Sequence, residues 1–424
     1  MKIGFLVLRN TYLKTMGSLV DACIKGGHTA IIFYDEASSS SSKAYQRVTS
    51  KKLHGLISLG AVPVRLNLTD FAKIVGQTHV DVLVTHEGSH TLKAQRQQII
   101  DLRKKGIKVV SLCHFFEISA QPLDALTIFD KTYYLSEYAR ELHFRLQSPA
   151  RQTRKAFQKY CSLFEVTGSP MFDQVVGLDQ YNSKKEMGIP YDKQVVLLFA
   201  PVLTQATIWR FYVLREANRR KRIAKVIRDR KWLFLWETFS GPSFIEIVKA
   251  IKNFCVKNNA ILIVKSRPKQ DDPKYLPALA DRYFDGIEDA YFPVFSSYKL
   301  ISAADLCIGV MSMGVVESLA QSKPTINIYL PPSADYPRNY VNISANRRAY
   351  LEAVSRRDLD GPFSSSDNLI NLERTNVIRW FHNLSFADLA FDKQASLDYK
   401  RKILGISDIP SSVQILNSLT ELAR

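Results

Sequence analysis

Short apolar runs alternate along this chain with stretches spaced as amphipathic helices. The first run is residues 2–8 (KIGFLVL), helical spacing follows over 12–25, and a second run covers 29–34. Runs of this length fit buried parallel strands. Gly26 and Gly27 stop the helix between them. A strand-helix-strand opening prefers a parallel sheet with a right-handed crossover. The same reading predicts strands at 56–59 (weak), 80–85, 107–112, 131–135 and 164–167, with helices over 91–105 and after Ser136. The five serines at 38–42 predict a loop.

The polar stretch 179–193, with Gly188 and Pro190, predicts a linker. Alternation then restarts. Strands are predicted at 194–200 (QVVLLFA), 260–264 (AILIV), 305–310 (DLCIGV) and 325–330, with 233–236 a further candidate. Helices are predicted over 243–258, 297–304, 315–321, within 368–384, and in the closing stretch 396–424. The expected architecture is α/β, with two Rossmann-like β/α/β domains facing a central cleft. Residues 1–178 form the first domain, 179–193 the linker and 194–385 the second; helices in 386–424 pack back across both.

A chain of 424 residues with 46% hydrophobic content supports two or three cored domains and excludes wholesale disorder. The net charge of +18 implies an anionic partner: phosphorylated substrate, nucleic acid or acidic membrane. Ten Lys/Arg lie between Arg210 and Lys231, with Trp209, Phe211, Tyr212 and Trp232 around them. Such a segment suits anionic lipid or a phosphorylated acceptor; it also reads as a solvated helix, with nucleic acid the weaker alternative. Five scattered cysteines, mostly in apolar runs, read as buried thiols of a reducing cytoplasm. A strand beginning at Lys2 leaves no room for a signal peptide, and no apolar run is long enough to span a membrane. No CxxC pair suggests zinc.

Candidate chemistry clusters at strand ends, where open α/β sheets bind ligands. After the 305–310 strand, Ser312, Met313 and Gly314 form a small turn opening a helix. Its free N–H groups and dipole suit a phosphate. Glu317, read as lying in the first helical turn, could accept from ribose hydroxyls. The plainer reading makes Ser312 a helix cap and Glu317 a dipole-complementing residue. Lys265 and Arg267 follow the 260–264 strand and suit a diphosphate, or are surface charges. The 291–295 segment (YFPVF) could hold a base edge by its backbone, with the Phe295 ring flanking it. In the first half, Asn10 and Thr11, His86, Glu87 and His90, and His114 and Glu117 stand at three strand ends. They are candidates for acceptor binding and general-base work, against loop or cap roles for each. No GxGxxG separates the first strand and helix, which disfavours a conventional dinucleotide site there.

Three stretches carry a family resemblance: VTGSPMFDQV (166–175), ILIVKSRP (261–268) and GVMSMGVVESLAQSKPTINI (309–328). Together with the two-domain order they resemble GT-B glycosyltransferases. The branch that looks closest holds UDP-N-acetylglucosamine 2-epimerase and the CDP-glycerol and capsule or lipopolysaccharide sugar transferases. The resemblance implies that Ser312, Met313, Gly314 and Val315 hold a donor phosphate, Glu317 the ribose, and Lys265 and Arg267 the leaving nucleotide. Arg267 stands where the family usually has histidine, and Ser322 where it has glycine. The first-domain carboxylates of the epimerases find no convincing match on 114–117.

The expected activity is metal-independent transfer of a sugar from a nucleotide-sugar to a glycan or lipid-linked acceptor, in surface polysaccharide or glycoconjugate synthesis. No cofactor is implied beyond the nucleotide-sugar substrate. Helix amides with Lys and Arg would stabilise the departing phosphate, and Glu87 or His114 would take the acceptor's proton. Asp358-Leu359-Asp360 is read as surface. The expected location is cytoplasmic, including the inner membrane face through Arg210 to Lys231. The alternatives are a sugar-nucleotide 2-epimerase of the same fold and a non-catalytic module binding membrane or polyanion.

Overall fold

The computed structural model describes residues 1–10, 12–35, 48–86, 89–112, 126–147, 160–175, 177–200, 242–266, 275–285, 296–310, 312–329, 362–363, 368–389 and 391–424. The chain divides into two compact units. One comprises Met1–Gly177, Asp289–Tyr298 and Leu397–Arg424; the other, Leu178–Glu288 and Lys299–Ser396.

The first unit runs β1 (Lys2–Val7), α1 (Tyr12–Lys25), β2 (Thr29–Tyr34), α2 (Ser50–Ser58), β3 (Val62–Arg65), α3 (Phe71–Gln77), β4 (Val82–His86), α4 (Ser89–Lys104), β5 (Lys108–Leu112), β6 (Lys131–Tyr134), α5 (Glu137–Gln147) and β7 (Phe164–Val166). Its seven strands are parallel, in the order β3-β2-β1-β4-β5-β6-β7. Strand order reverses between β1 and β4, the switch point of a doubly wound sheet. Central strands such as β1 and β4 bury nearly every residue, which is why they read as unbroken apolar runs.

One sequence expectation fails here. Residues 56–59 are not a strand: all but Leu59 lie in α2, where Leu53 and Leu56, three apart, are buried on one face. The strand lies just beyond, as β3. It is an edge strand containing Pro63, largely exposed, so no apolar run announces it.

The second unit runs α6 (Gln180–Glu186), β8 (Gln194–Phe199), α7 (Phe244–Lys257), β9 (Ala260–Lys265), α8 (Tyr275–Leu279), β10 (Arg282–Phe284), α9 (Ser296–Ala303), β11 (Leu306–Gly309), α10 (Met313–Ala320), β12 (Thr325–Tyr329), β13 (Leu369–Glu373) and α11 (Val377–Asn383); α9 begins in the segment grouped with the first unit. Its sheet is also parallel, ordered β10-β9-β8-β11-β12-β13. This repeats the winding of the first unit, with the reversal between β8 and β11. On one sheet face Val196, Leu198, Leu262, Val264, Ile308 and Ile326 join α7 and α11 in a common core. A capping box between Ser243 and Glu246 starts α7.

The stretch 179–193 is not a bare connector. It carries α6, whose Gln180 donates to Asp305 Oδ1 at 2.9 Å, and Lys184 donates to the Lys193 carbonyl at 2.9 Å. Within 368–384, the first residues form β13 rather than helix, paired with β12 from Thr325↔Leu369 to Tyr329↔Glu373.

The closing helices are α12 (Lys393–Leu404) and α13 (Ser411–Ala423), and from Leu397 onward the chain belongs to the first unit. Helix α13 lies against α1 and the 170–175 turn. Asp173 in that turn accepts from the Ser411 N–H at 2.9 Å and the Ser412 N–H at 2.8 Å, so it caps α13 from a distance. Burial pushes this carboxyl above its ordinary value, against the bonds from Ser412 and Ser411 that pull it down. Asp173→Ala is expected to cost about 0.5–2 kcal/mol, the range for losing a helix cap. Calorimetric melting with amide exchange at Ser411 and Ser412 measures it; unchanged protection there rules the cap out.

Among the described residues no helix is long and apolar enough to cross a membrane. Cys23, Cys255 and Cys307 are buried thiols; burial pushes them up to about 12, 12 and 11. Cys161 is exposed, and Cys113 lies outside the described residues.

Candidate functional site

In the second unit the switch point is built by the ends of β8 and β11. Register places Leu198 beside Ile308 and Phe199 beside Lys265. One step on, Phe199 neighbours Gly309, which pairs with Asn327, which pairs with Asn371. Lys265, Phe199, Gly309, Asn327 and Asn371 therefore form one transverse row across five strands. Alternation puts them all on the face away from α7. Lys265, Phe199 and Asn327 are all buried. Asn327 Nδ2 donates to Asn371 Oδ1 at 2.9 Å, and Asn371 Nδ2 to the Phe363 carbonyl at 2.7 Å.

Helix α10 opens directly over this row. Ser312 is its N-cap, extended at φ −106° and ψ 149°, and its Oγ accepts from the Gly314 N–H at 3.1 Å. The Val315 N–H is bonded to the Ser312 carbonyl at 2.9 Å. Of the four amides that the sequence nominated, those of Gly314 and Val315 are thus engaged within the turn itself. Met313 is 37% exposed, whereas Ser312, Gly314 and Val315 are buried. Met313 is therefore the exposed residue at this mouth. Glu317 is buried but sits fifth in α10, beyond the first turn where the sequence placed it.

Ser322 has φ +57°, closing α10 with Lys323 N–H to Ser318 carbonyl and Ser322 N–H to Leu319 carbonyl, both 3.0 Å. That is the left-handed position usually held by glycine. The departure noted in the sequence thus falls on backbone geometry rather than on ligand chemistry.

In the first unit, Asn10 follows β1 and His86 ends β4, the two strands flanking that sheet's switch point. Both are buried. The Tyr12 ring stacks on the His86 imidazole, centroids 4.2 Å apart and planes 21° off parallel. Tyr12 was missed by sequence reasoning, because it reads as the first apolar residue of α1. His90 is the second residue of α4. Thr11, Glu87, His114, Glu117, Arg267, Phe295, the basic stretch from Arg210 to Lys231 and Asp358 to Asp360 lie outside the described residues. Phe199, Gly309, Asn327 and Asn371 were also missed. A polar residue inside the apolar TINIY run was the available signal for Asn327.

No protein-family model matches the chain, and no curated protein does. Solved structures do. The UDP-GlcNAc 2-epimerase of Neisseria meningitidis, bound to UDP-GlcNAc, is 12% identical with TM-score 0.51, covering 100% of both chains. A glycosyltransferase from Rickettsia africae ESF-5 is 11% identical with TM-score 0.51, covering 100% of this chain and 98% of that one. The wall teichoic acid polymerase TagF is 9% identical with TM-score 0.55, covering 100% of this chain and 88% of its own. Two parallel sheets wound in the same order, together with these likenesses along the whole chain, give this protein the GT-B fold.

Proposed function

We propose that this protein is a glycosyltransferase that moves a sugar from a nucleotide-sugar to a glycan or lipid-linked acceptor hydroxyl, in the synthesis of a surface polysaccharide or glycoconjugate. The row Lys265–Phe199–Gly309 beneath the mouth of α10, at the switch point of the second sheet, is the observation that carries this reading. Ligands of doubly wound sheets bind at such points. Epimerase and TagF neighbours solved with UDP-GlcNAc and with CDPG support a nucleotide-linked donor.

In the reaction the bond from the sugar's anomeric carbon to the phosphate oxygen breaks. The acceptor oxygen bonds to that carbon, and its proton passes to Glu87 or His114. The leaving nucleotide gains negative charge, which the Met313 amide, the Ser312 hydroxyl, Lys265 and Arg267 stabilise. Glu317 holds the ribose, and Phe295 flanks the base. Asn10, Thr11, His86, His90 and Glu117 orient the acceptor. Lys and Arg carry the charge compensation, so the reaction proceeds without a divalent metal. The stretch from Arg210 to Lys231 brings the protein to an anionic cytoplasmic membrane face where a lipid-linked acceptor resides.

Thermal-shift titration against UDP-, CDP-, CMP-, GDP- and ADP-sugars tests the donor. A ligand at a hundred times its Kd stabilises by about 2.7 kcal/mol, so at least one of them is expected to raise the melting temperature. No shift with any of them removes the reading. Turnover of the donor that binds is expected to survive EDTA; loss restored by Mn²⁺ overturns the metal-free step. Formation of an epimeric nucleotide-sugar with no acceptor present would replace transfer by epimerisation.

A further inference from the structure

We propose that Phe199 is the positioning residue of the phosphate-receiving turn, and that position 314 is glycine because of it. The inference rests on the nucleotide-binding reading of α10 and names the residue that sets where its mouth lies. Phe199 ends β8 and is buried, with a side chain on the same face as Lys265. A Cβ added at Gly314 would lie 2.6 Å from Phe199 Cδ1, 2.6 Å from Cγ and 2.7 Å from Cδ2. Three ring atoms at nearly one distance mean that the first turn of α10 rests flat on the ring. A Cβ at Gly309 would lie 2.7 Å from Val315 Cγ2 and 3.8 Å from Phe199 Cδ2.

Neither Gly309 nor Gly314 is among the glycines with positive φ. Their lack of a side chain therefore answers a demand for space, not for backbone freedom. The ring is buried, with Lys265 beside it in the row, so a methyl group at 314 would have to displace packed atoms. Neighbouring strands stand about 4.8 Å apart, so Lys265 and the strand that feeds α10 lie roughly 10 Å apart across Phe199. The ring thus sets both the height of the helix mouth over the sheet and its place relative to the lysine. A diphosphate reaching from the Met313 amide to Lys265 depends on both.

The test is a double-mutant cycle of Gly314→Ala and Phe199→Ala, read by calorimetric binding of UDP, CDP, GDP and ADP. Gly314→Ala is expected to weaken the nucleotide that wild type binds at least tenfold. Adding Phe199→Ala removes the obstructing ring atoms and is expected to restore at least threefold of that loss. Wild-type binding with losses that simply multiply overturns the inference and leaves the function standing. No binding by wild type removes the function, and the inference with it.

If Gly314→Ala does not fold, Phe199→Leu is read against Leu198→Ala, whose side chain lies on the opposite face in the α7 core. Phe199→Leu is expected to lose at least fivefold in affinity. Leu198→Ala is expected to melt earlier yet bind as wild type. Unchanged affinity in Phe199→Leu, or equal losses in both variants, overturns the assignment.

Discussion

Lys265→Met is expected to lower kcat about a hundredfold or more, the range seen when one donor to a developing anion is removed. Lys265 is the last residue of β9, 5% exposed, in the row that runs beneath α10. A cation held in a low-dielectric site acts on leaving-group charge far more strongly than one in water. Methionine keeps most of the volume and discards the charge. Removing one buried charge also strands the group that partners it and lowers stability, so turnover is compared below the variant's own melting temperature. Lys265→Arg is expected to recover only part of the rate, because a planar guanidinium fork does not replace a compact ammonium. Steady-state kinetics with saturating donor and acceptor decide the matter. A Lys265→Met enzyme within threefold of wild-type kcat would place the leaving phosphate elsewhere.

Glu317→Ala is expected to weaken nucleotide binding at least tenfold. Hydrogen bonds to a charged group contribute about 1.5–3 kcal/mol, equivalent to roughly 10–150-fold in affinity. The plainer role for this residue, balancing the helix dipole, loses ground in the structure. Dipole effects fade beyond the first turn, and Glu317 lies past it. A 2′-deoxynucleotide provides the discriminating measurement. Wild type should prefer the ribonucleotide, and Glu317→Ala should bind the two forms nearly alike. Equal preference in both proteins, with 2′-deoxy and with 3′-deoxy nucleotides alike, would show that the carboxylate does not meet the sugar, whatever its effect on overall affinity. The melting temperature of the variant separates lost contact from lost fold.

Legibility along the chain followed burial. β1, β4, β8, β9 and β11 are covered on both faces, so GFLV, VLVT, VVLLF, ILIV and LCIG announced themselves as unbroken apolar runs. β3 was missed because it is a short exposed edge, and β13 because LINLE mixes polar and apolar residues next to a helix. α6 was hidden in a polar stretch; its Asp179 cap is local, but its bond to Asp305 joins it to the head of a strand more than a hundred positions away. Half of the candidate site could be read directly. Ser312, Gly314 and a following helix are a local pattern, since caps and turns are made by residues a few positions apart. Which amides remain available was not legible, because the Ser312 hydroxyl and carbonyl occupy those of Gly314 and Val315 only once the turn is folded.

Residue order settled the alternation of strands and helices, the doubly wound class and the small-residue mouth of α10. All of these come from contacts or periodicities within one segment. The transverse row came from strand register. Lys265, Phe199, Gly309, Asn327 and Asn371 sit on five strands, and none announces the others in sequence. They meet because parallel pairing aligns whole segments in steps of two, which brings one chosen residue from each strand to the same height and face. The stacking of Tyr12 on His86 arises in the same way, from strands β1 and β4 becoming neighbours across the switch point of the other sheet.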